Sequence, residues 1–313
     1  ILDGFDLGLG ILFPYAPEER RRDVMMNSVA PFWDGNETWL IMGGGGLFVA
    51  FPKAYGIIMS GLYLPIIIML LALVFRGVAF EFRWVAKPNH QRWDRAFAWG
   101  SIVATFAQGV VLGGLLQGIA VDKGQFSGGS LDWLSPFPIF CGFALLAGYA
   151  LLGATWLVMK TEGELQLWAR GKAEAALVVT LTAVAVVSLW TAAGIPRIAD
   201  RWFSWPNILL LSPIPLLTLY AALNCWWGLV ERRDAQPFFS AIAMFLLGFV
   251  GLVVSNVPYL VPETVTVWQA AAAPSSQLFM LVGTLLLLPM ILGYTAFVYW
   301  TFRGKVNEDA GYH

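Results

Sequence analysis

Histidine, cysteine and charge are all scarce in this sequence, and each shortage closes off a class of protein. Charged residues make up 12% of the 313, about half the ~25% usual in soluble domains, and the net charge of -1 offers no electrostatic footprint for nucleic acid. The two cysteines, Cys141 and Cys225, both lie within apolar runs, which excludes a disulfide framework or a zinc site built from them. The two histidines are His90, in the polar stretch KPNHQRWDR, and His313, the last residue. None is left for an apolar segment. A haem held within a membrane takes axial histidine or methionine ligands; nine methionines remain, but Met in that setting serves packing, so no haem is expected on this chain alone. No Ser-His-Asp, HExxH or Walker pattern occurs.

What is abundant is apolar length. Hydrophobic residues reach 58% and mean hydropathy is +0.68, the composition of an all-α polytopic membrane protein. Runs able to supply the ~20 residues that cross a ~30 Å hydrocarbon core fall at about 33–53, 54–80, 96–120, 136–159, 173–194, 205–230, 237–258 and 277–302. Residues 1–14 form a ninth, truncated span of only ~21 Å at the helical rise, so the chain is expected to begin inside a helix, its true N-terminus missing. Pro52 and Lys53 mark the boundary between the second and third spans, and Pro206, Pro213 and Pro215 are expected to kink or break the seventh.

Charge orients these spans. With nine of them, one set of loops plus the C-terminal tail holds all the lysines and arginines except Lys53, Lys123, Arg197 and Arg201. The positive-inside rule makes the rich side cytoplasmic, which puts the N-terminus outside and the C-terminus in the cytoplasm. Asp34 and Glu37, within PFWDGNETWL, then stand at the cytoplasmic start of the second span. Asp3 and Asp6, within DGFDLG, lie in the cytoplasmic half of the first, Asp6 ~12 Å in from Pro14 by helical rise. Arg76 lies about a turn before the cytoplasmic end of the third span and is expected to pair with Asp6 first and Asp34 second.

An ionisable residue inside a membrane helix is functional or paired, although Asp34 could also cap its helix. Trp33 and Trp39 would flank the acids as interface anchors, and Asn36 could hold ordered water. The sequon NET at 36–38 lies on the cytoplasmic face and is accidental. GGGG at 43–46 has no phosphate-loop spacing and is expected to permit close helix approach.

These residues carry a family likeness. DGFDLGLG, NSVAPFWDGNETWLIMGGGGLF, SGLYLP, FRGVAFEFR and LLQG, followed by TEGELQ and SSQL, resemble in order and spacing subunit II of cytochrome bd-type quinol oxidases across essentially the whole chain. NETWL and the short loops look like the branch that includes cyanide-insensitive oxidases. The resemblance implies a subunit of a quinol:O2 oxidoreductase, inactive alone, in a bacterial cytoplasmic membrane. It implies two four-helix bundles, 1–120 and 136–258, with a peripheral helix at 277–302. It also implies a haem-bearing subunit I as partner, with b-type and d-type haems held there, and it allows a quinone, lipids and a small single-helix subunit. By motif, Asp34 matches an acid lining the proton path and Asp6 a second sensitive acid, while Trp33 and Arg76 match positions linked with haem integrity. Glu37 stands where some members carry an uncharged residue.

Two other classes fit the same acids. One is an independent proton or ion transporter with alternating access, against which the acids cluster at one face and no broken-helix pair recurs in the two halves. The other is a scaffold whose acids are all neutralised by Arg76 and helix caps.

Overall fold

Prolines open helix after helix in this chain, where a missing N–H costs nothing. A computed structural model describes residues 2–16, 18–86 and 89–306. Among them run α1 (Leu2–Leu12), α2 (Glu19–Val29), α3 (Trp33–Ala50), α4 (Pro52–Gly61), α5 (Tyr63–Val85), α6 (Gln91–Gln117) and α7 (Pro136–Lys160). Then follow α8 (Gly163–Gly194), α9 (Pro196–Phe203), α10 (Asn207–Leu211), α11 (Pro213–Val230), α12 (Gln236–Asn256), α13 (Val267–Ala270) and α14 (Pro274–Thr301). Two antiparallel two-stranded ribbons, β1 (Val121–Asp122) with β2 (Gln125–Phe126) and β3 (Tyr259–Val261) with β4 (Val265–Thr266), decorate the loops.

Seven stretches among the described residues are long and apolar enough to cross a membrane: α5, α6, α7, α8, α10 with α11, α12 and α14. The other two expected spans are also helices. Only 11 residues of α1 are described, and the first half of α3 is diluted by Asp34, Asn36 and Glu37.

Two span starts differ. The third span, expected at 54–80, is α5 at Tyr63–Val85, because the backbone leaves helical geometry at Leu62 (φ -120°, ψ 20°) and Pro65, in the first turn of α5, cannot donate back into α4. Residues 52–61 instead form α4, which joins both ribbons and α13 around a small separate core of Ala54, Ile57, Ile58, Ile119, Val261 and Val265. The sixth span also starts earlier than expected, since α8 runs unbroken from Gly163. The seventh does break, at Ser212 between α10 and α11.

The main core gathers around α1, which packs against α3, α6 and α7. Eleven residues cannot hold a helix alone. Burial does it here: Phe5, Leu7 and Leu9 are at most 2% exposed, each contributing about 1.5–3 kcal/mol. The approach is backbone to backbone, since a Cβ on Gly8 would lie 1.8 Å from the Tyr149 carbonyl oxygen and one on Gly153 2.4 Å from the Gly8 carbonyl carbon. By contrast, a Cβ on any of Gly43 to Gly46 meets nothing within 4 Å. The GGGG run therefore makes no close approach within this chain, and the glycines that do sit on α1, α6 and α7. α14, with no buried residue, rests on α3.

The loops sort into two groups by their ion pairs and hydrogen bonds. At the arginine-rich end, Arg21 pairs with Glu164, Lys305 with Asp234 at 2.6 Å, and Arg170 with Asp234 at 2.8 Å. At the other end, Arg197 approaches Glu263 at 3.6 Å and donates to the Leu116 carbonyl at 2.6 Å, and Ala272 N–H donates to the Ala50 carbonyl at 2.8 Å.

Candidate functional site

Three helices bring the sequence-predicted residues together at the arginine-rich end. Asp3 and Asp6 stand three apart on α1, hence on one face, while Asn36 and Glu37 come from the first turns of α3 and Arg76 from the second half of α5. Arg76 is fully buried. Its Nη1 donates to Glu37 Oε2 at 3.2 Å and lies 3.7 Å from Asp3 Oδ1. The expected partners, Asp6 and Asp34, are thus replaced by Glu37 and Asp3. Helical rise fixes how deep a residue lies, but rotation about the helix axis decides which acid of a pair faces the cation.

Asp6 is also fully buried and accepts a hydrogen bond on Oδ2 from Asn36 Nδ2 at 2.7 Å. Asn36 therefore binds the inner acid directly, where the sequence suggested that it hold water. Its own Oδ1 accepts from the Tyr299 hydroxyl of α14 at 2.8 Å. No sequence signal pointed to Tyr299, an uncharged residue more than 260 positions away.

Trp33 is half-buried and does not reach outward as an anchor. It stacks on Phe80 at 5.2 Å and 27°, and the Arg76 guanidinium lies 6.0 Å from its ring and 5.9 Å from that of Phe97. Asp34 is exposed. The helix N-cap is Phe32, with no side-chain cap, so a capping role for Asp34 is not observed. Asp34 shares an exposed stripe of α3 with Thr38, Ile41, Gly45 and Phe48, at the helical spacing.

A second charged cluster went unrecognised in the sequence. Arg83, fully buried near the end of α5, donates from Nε to Asp94 Oδ1 at 2.6 Å and from Nη1 to Asp23 Oδ1 at 2.5 Å. His90, 4% exposed, lies with Nε2 3.1 Å from Glu19. The cluster pins α2 to the α5–α6 hairpin, and its sequence signal was the arginine spacing: Arg76 and Arg83 are seven apart on one helical face.

A cavity of about 330 Å³, lined by Gln117, Asp132 and Trp133 among others, lies at the opposite end. Among the described residues no three His, Cys, Asp or Glu side chains gather as a metal site, and His313 lies outside them. Acids, an amide, an arginine and aromatic rings make the cluster around Arg76, a donor set unsuited to haem iron. His90, in the loop before α6, lies beside acids instead.

Fold and site together define a polytopic membrane protein that keeps a paired set of charges among its helices. Residues 1–302 match the family described as Cytochrome bd terminal oxidase subunit II. The chain is 31% identical to cytochrome bd-I ubiquinol oxidase subunit 2 of Escherichia coli (strain K12), across 99% of this chain and 91% of that protein. It is 29% identical to cytochrome bd ubiquinol oxidase subunit 2 of Bacillus subtilis (strain 168), across 98% and 92%. Its fold is similar to that of a chain in the structure of bd oxidase from Geobacillus thermodenitrificans, with a TM-score of 0.75 over 97% of this chain and 94% of that one at 17% identity. The chain belongs to the cytochrome bd terminal oxidase subunit II family. It is a membrane-bound component of a respiratory quinol oxidase, a complex that contains haem and a subunit I.

Proposed function

We propose that this chain stabilises the haem-bearing subunit I and carries protons from the cytoplasm toward the site of oxygen reduction. Reducing one O2 with two quinols releases two quinones and two waters, and the four protons entering water at a buried centre need a path. Here Asp34 is the outermost station, Glu37 the next, and Asp3 and Asp6 the inner ones, while Arg76, Trp33 and Asn36 hold them in place. The observation that carries the reading is the gradient of burial: Asp34 exposed, Glu37 partly buried at 18% side-chain exposure, Asp3 at 8% and Asp6 at 0%. A carboxylate row graded from water to protein interior is what proton transfer between acids requires. Arg76 lies between the outer and inner acids, which lowers the cost of burying their charge.

In this reading the arginine-rich end faces the cytoplasm of a bacterium, by the positive-inside rule, and the N-terminus lies outside. α1, α3, α5 and α6 make one four-helix bundle and α7, α8, α10–α11 and α12 the other, with α14 peripheral. Subunit I, holding the b-type and d-type haems, covers the apolar part of the α3 stripe, Ile41 to Phe48, and the apolar face of α5 bearing Ile67, Leu71, Val74, Phe75 and Val78, leaving Asp34 open to water at the edge. Asp34 then sits at the seam between subunits. Quinol, lipids and a small single-helix subunit find room on the remaining apolar faces.

The test is Asp34→Asn in the assembled oxidase. Because the side chain makes no cap, fold and haem content should stay normal, while quinol-driven oxygen consumption falls about tenfold or more. Wild-type turnover at full haem occupancy would remove Asp34 from the path.

A further inference from the structure

The peripheral helix has a polar end that its lipid-facing sequence does not explain. α14 has no buried residue, yet Tyr299, near its end, sends its hydroxyl into the charged site. The hydroxyl donates to Asn36 Oδ1 at 2.8 Å, and Asn36 Nδ2 donates to Asp6 Oδ2 at 2.7 Å. An amide has one accepting and one donating end, so a donor fixed on its oxygen turns its NH2 toward the acid. The other oxygen of Asp6 accepts no hydrogen bond among the described residues, which leaves Asn36 as the group that aims this carboxyl. We infer that Tyr299 is a positioning residue: acting through Asn36, it sets the orientation and proton affinity of Asp6, so that the peripheral helix tunes the inner acid of the proton path.

The inference deepens the proton-path reading and rests on it for any effect on turnover. The relay is suited to an acid that changes state. With Asp6 ionised the donors run from Tyr299 through Asn36 to the carboxylate. With Asp6 protonated the amide can turn over, its oxygen accepting from the acid and its NH2 donating to the phenol oxygen, because a tyrosine hydroxyl both donates and accepts. The other titratable or charged groups around Asp6 are Asp3 on α1, Glu37 from α3 and Arg76 from α5, with Tyr149 of α7 beside Asp3, and among the described residues the Asn36 side chain hydrogen-bonds only Asp6 and Tyr299.

The end of α14 is also held independently of this hydroxyl. The Tyr299 ring stacks on Phe32 at 4.5 Å and 28°. Beyond it the chain folds back over α7, where Lys160 Nζ donates to the carbonyls of Phe302 and, at 3.1 Å, Gly304. Val306 N–H returns a bond to the Lys160 carbonyl at 2.8 Å. Tyr299→Phe should therefore remove the hydroxyl alone and leave the helix seated.

The experiment uses the purified complex at wild-type haem content and two readouts, the infrared carboxyl band of Asp6, identified by its loss in Asp6→Asn, and the pH profile of quinol oxidation. In Tyr299→Phe the band should be displaced. The alkaline limb of the profile should move up by about one pH unit, the size of one ordinary hydrogen bond lost to the ionised form, with KM for quinol unchanged. Asn36→Ala should reproduce both changes, and adding Tyr299→Phe to it should change nothing more. A wild-type band and profile in Tyr299→Phe, or additive effects of the two substitutions, overturn the inference. Wild-type turnover in Asp6→Asn instead overturns the proton path through Asp6, and the band in Tyr299→Phe still decides whether Tyr299 positions the acid.

Discussion

Removing the guanidinium of Arg76 is the most direct test of how the charged site is held. Arg76→Leu keeps much of the side-chain volume between Trp33 and Phe97 but deletes the cation that faces Glu37 at 3.2 Å and Asp3 at 3.7 Å. The side chains of Arg76 and Asp3 are 1% and 9% exposed, so water cannot replace the lost partner. Stranding one member of a buried pair costs about 3–5 kcal/mol, and the lost cation–π contact with Trp33 adds about 0.5–1 kcal/mol. Most of a typical domain's margin of about 5–15 kcal/mol would be consumed at the lower end of that range. The expected result is a variant that assembles poorly and loses haem, read by thermal unfolding and by the haem spectrum of the purified complex. Because the penalty comes from the stranded acids, Asp3→Asn in the Arg76→Leu background should restore roughly 1–3 kcal/mol, although Asp3→Asn alone gives no gain. Arg76→Lys should fall between wild type and Leu, since an ammonium keeps the charge that both acids face through Nη1 but loses the planar guanidinium that lies by the Trp33 and Phe97 rings. Wild-type haem content and melting temperature in Arg76→Leu would refute the reasoning.

Two further substitutions probe what seats the site. Gly8→Val should detach α1 from α7, because its Cβ would fall 1.8 Å from the Tyr149 carbonyl oxygen; detergent-solubilised complex should be scarce, whereas Gly171→Ala on α8, which meets nothing within 4 Å, should yield normally. Arg83→Leu should leave Asp94 and Asp23 without the cation at 2.6 and 2.5 Å and cost about 3–5 kcal/mol, read as proteolytic release of the 18–32 segment before global unfolding.

The parts of this architecture that were legible in the sequence are those set by one-dimensional quantities. Apolar length located α6, α7, α12 and α14 to within a few residues, and the proline cluster located the break between α10 and α11. Asymmetry in lysine and arginine grouped the loops that ion pairs then join. Where rotation or tertiary context decides, the sequence was silent. The break at Leu62 carries no proline at the break itself, so α4 and α5 read as one run. Lys160 counted as a loop charge, although it is 4% exposed and binds backbone carbonyls of the tail.

The same distinction explains the form that the site takes. Asp3 and Asp6, or Asp34 and Glu37, look interchangeable along the chain, each pair being three apart, yet one member of each turns to Arg76 and the other does not. For α3 the division is sharp: Glu37 faces inward to the cation and Asp34 outward to the exposed stripe. For α1 it is set by Asn36, which takes Asp6 and leaves Asp3 nearer to Arg76. A single cation thus holds one acid from each helix as paired charges, while the two acids it does not bind differ most in exposure, one on the surface and one fully buried. Fixed pairs stabilise a fold but hold their carboxylates ionised, so they take up protons reluctantly; the acids left out of the pairing are the ones whose protonation can change at lower cost. On that ground Asp34 and Asp6, more than Glu37 and Asp3, are the residues whose replacement by amides should slow turnover along the proposed proton path.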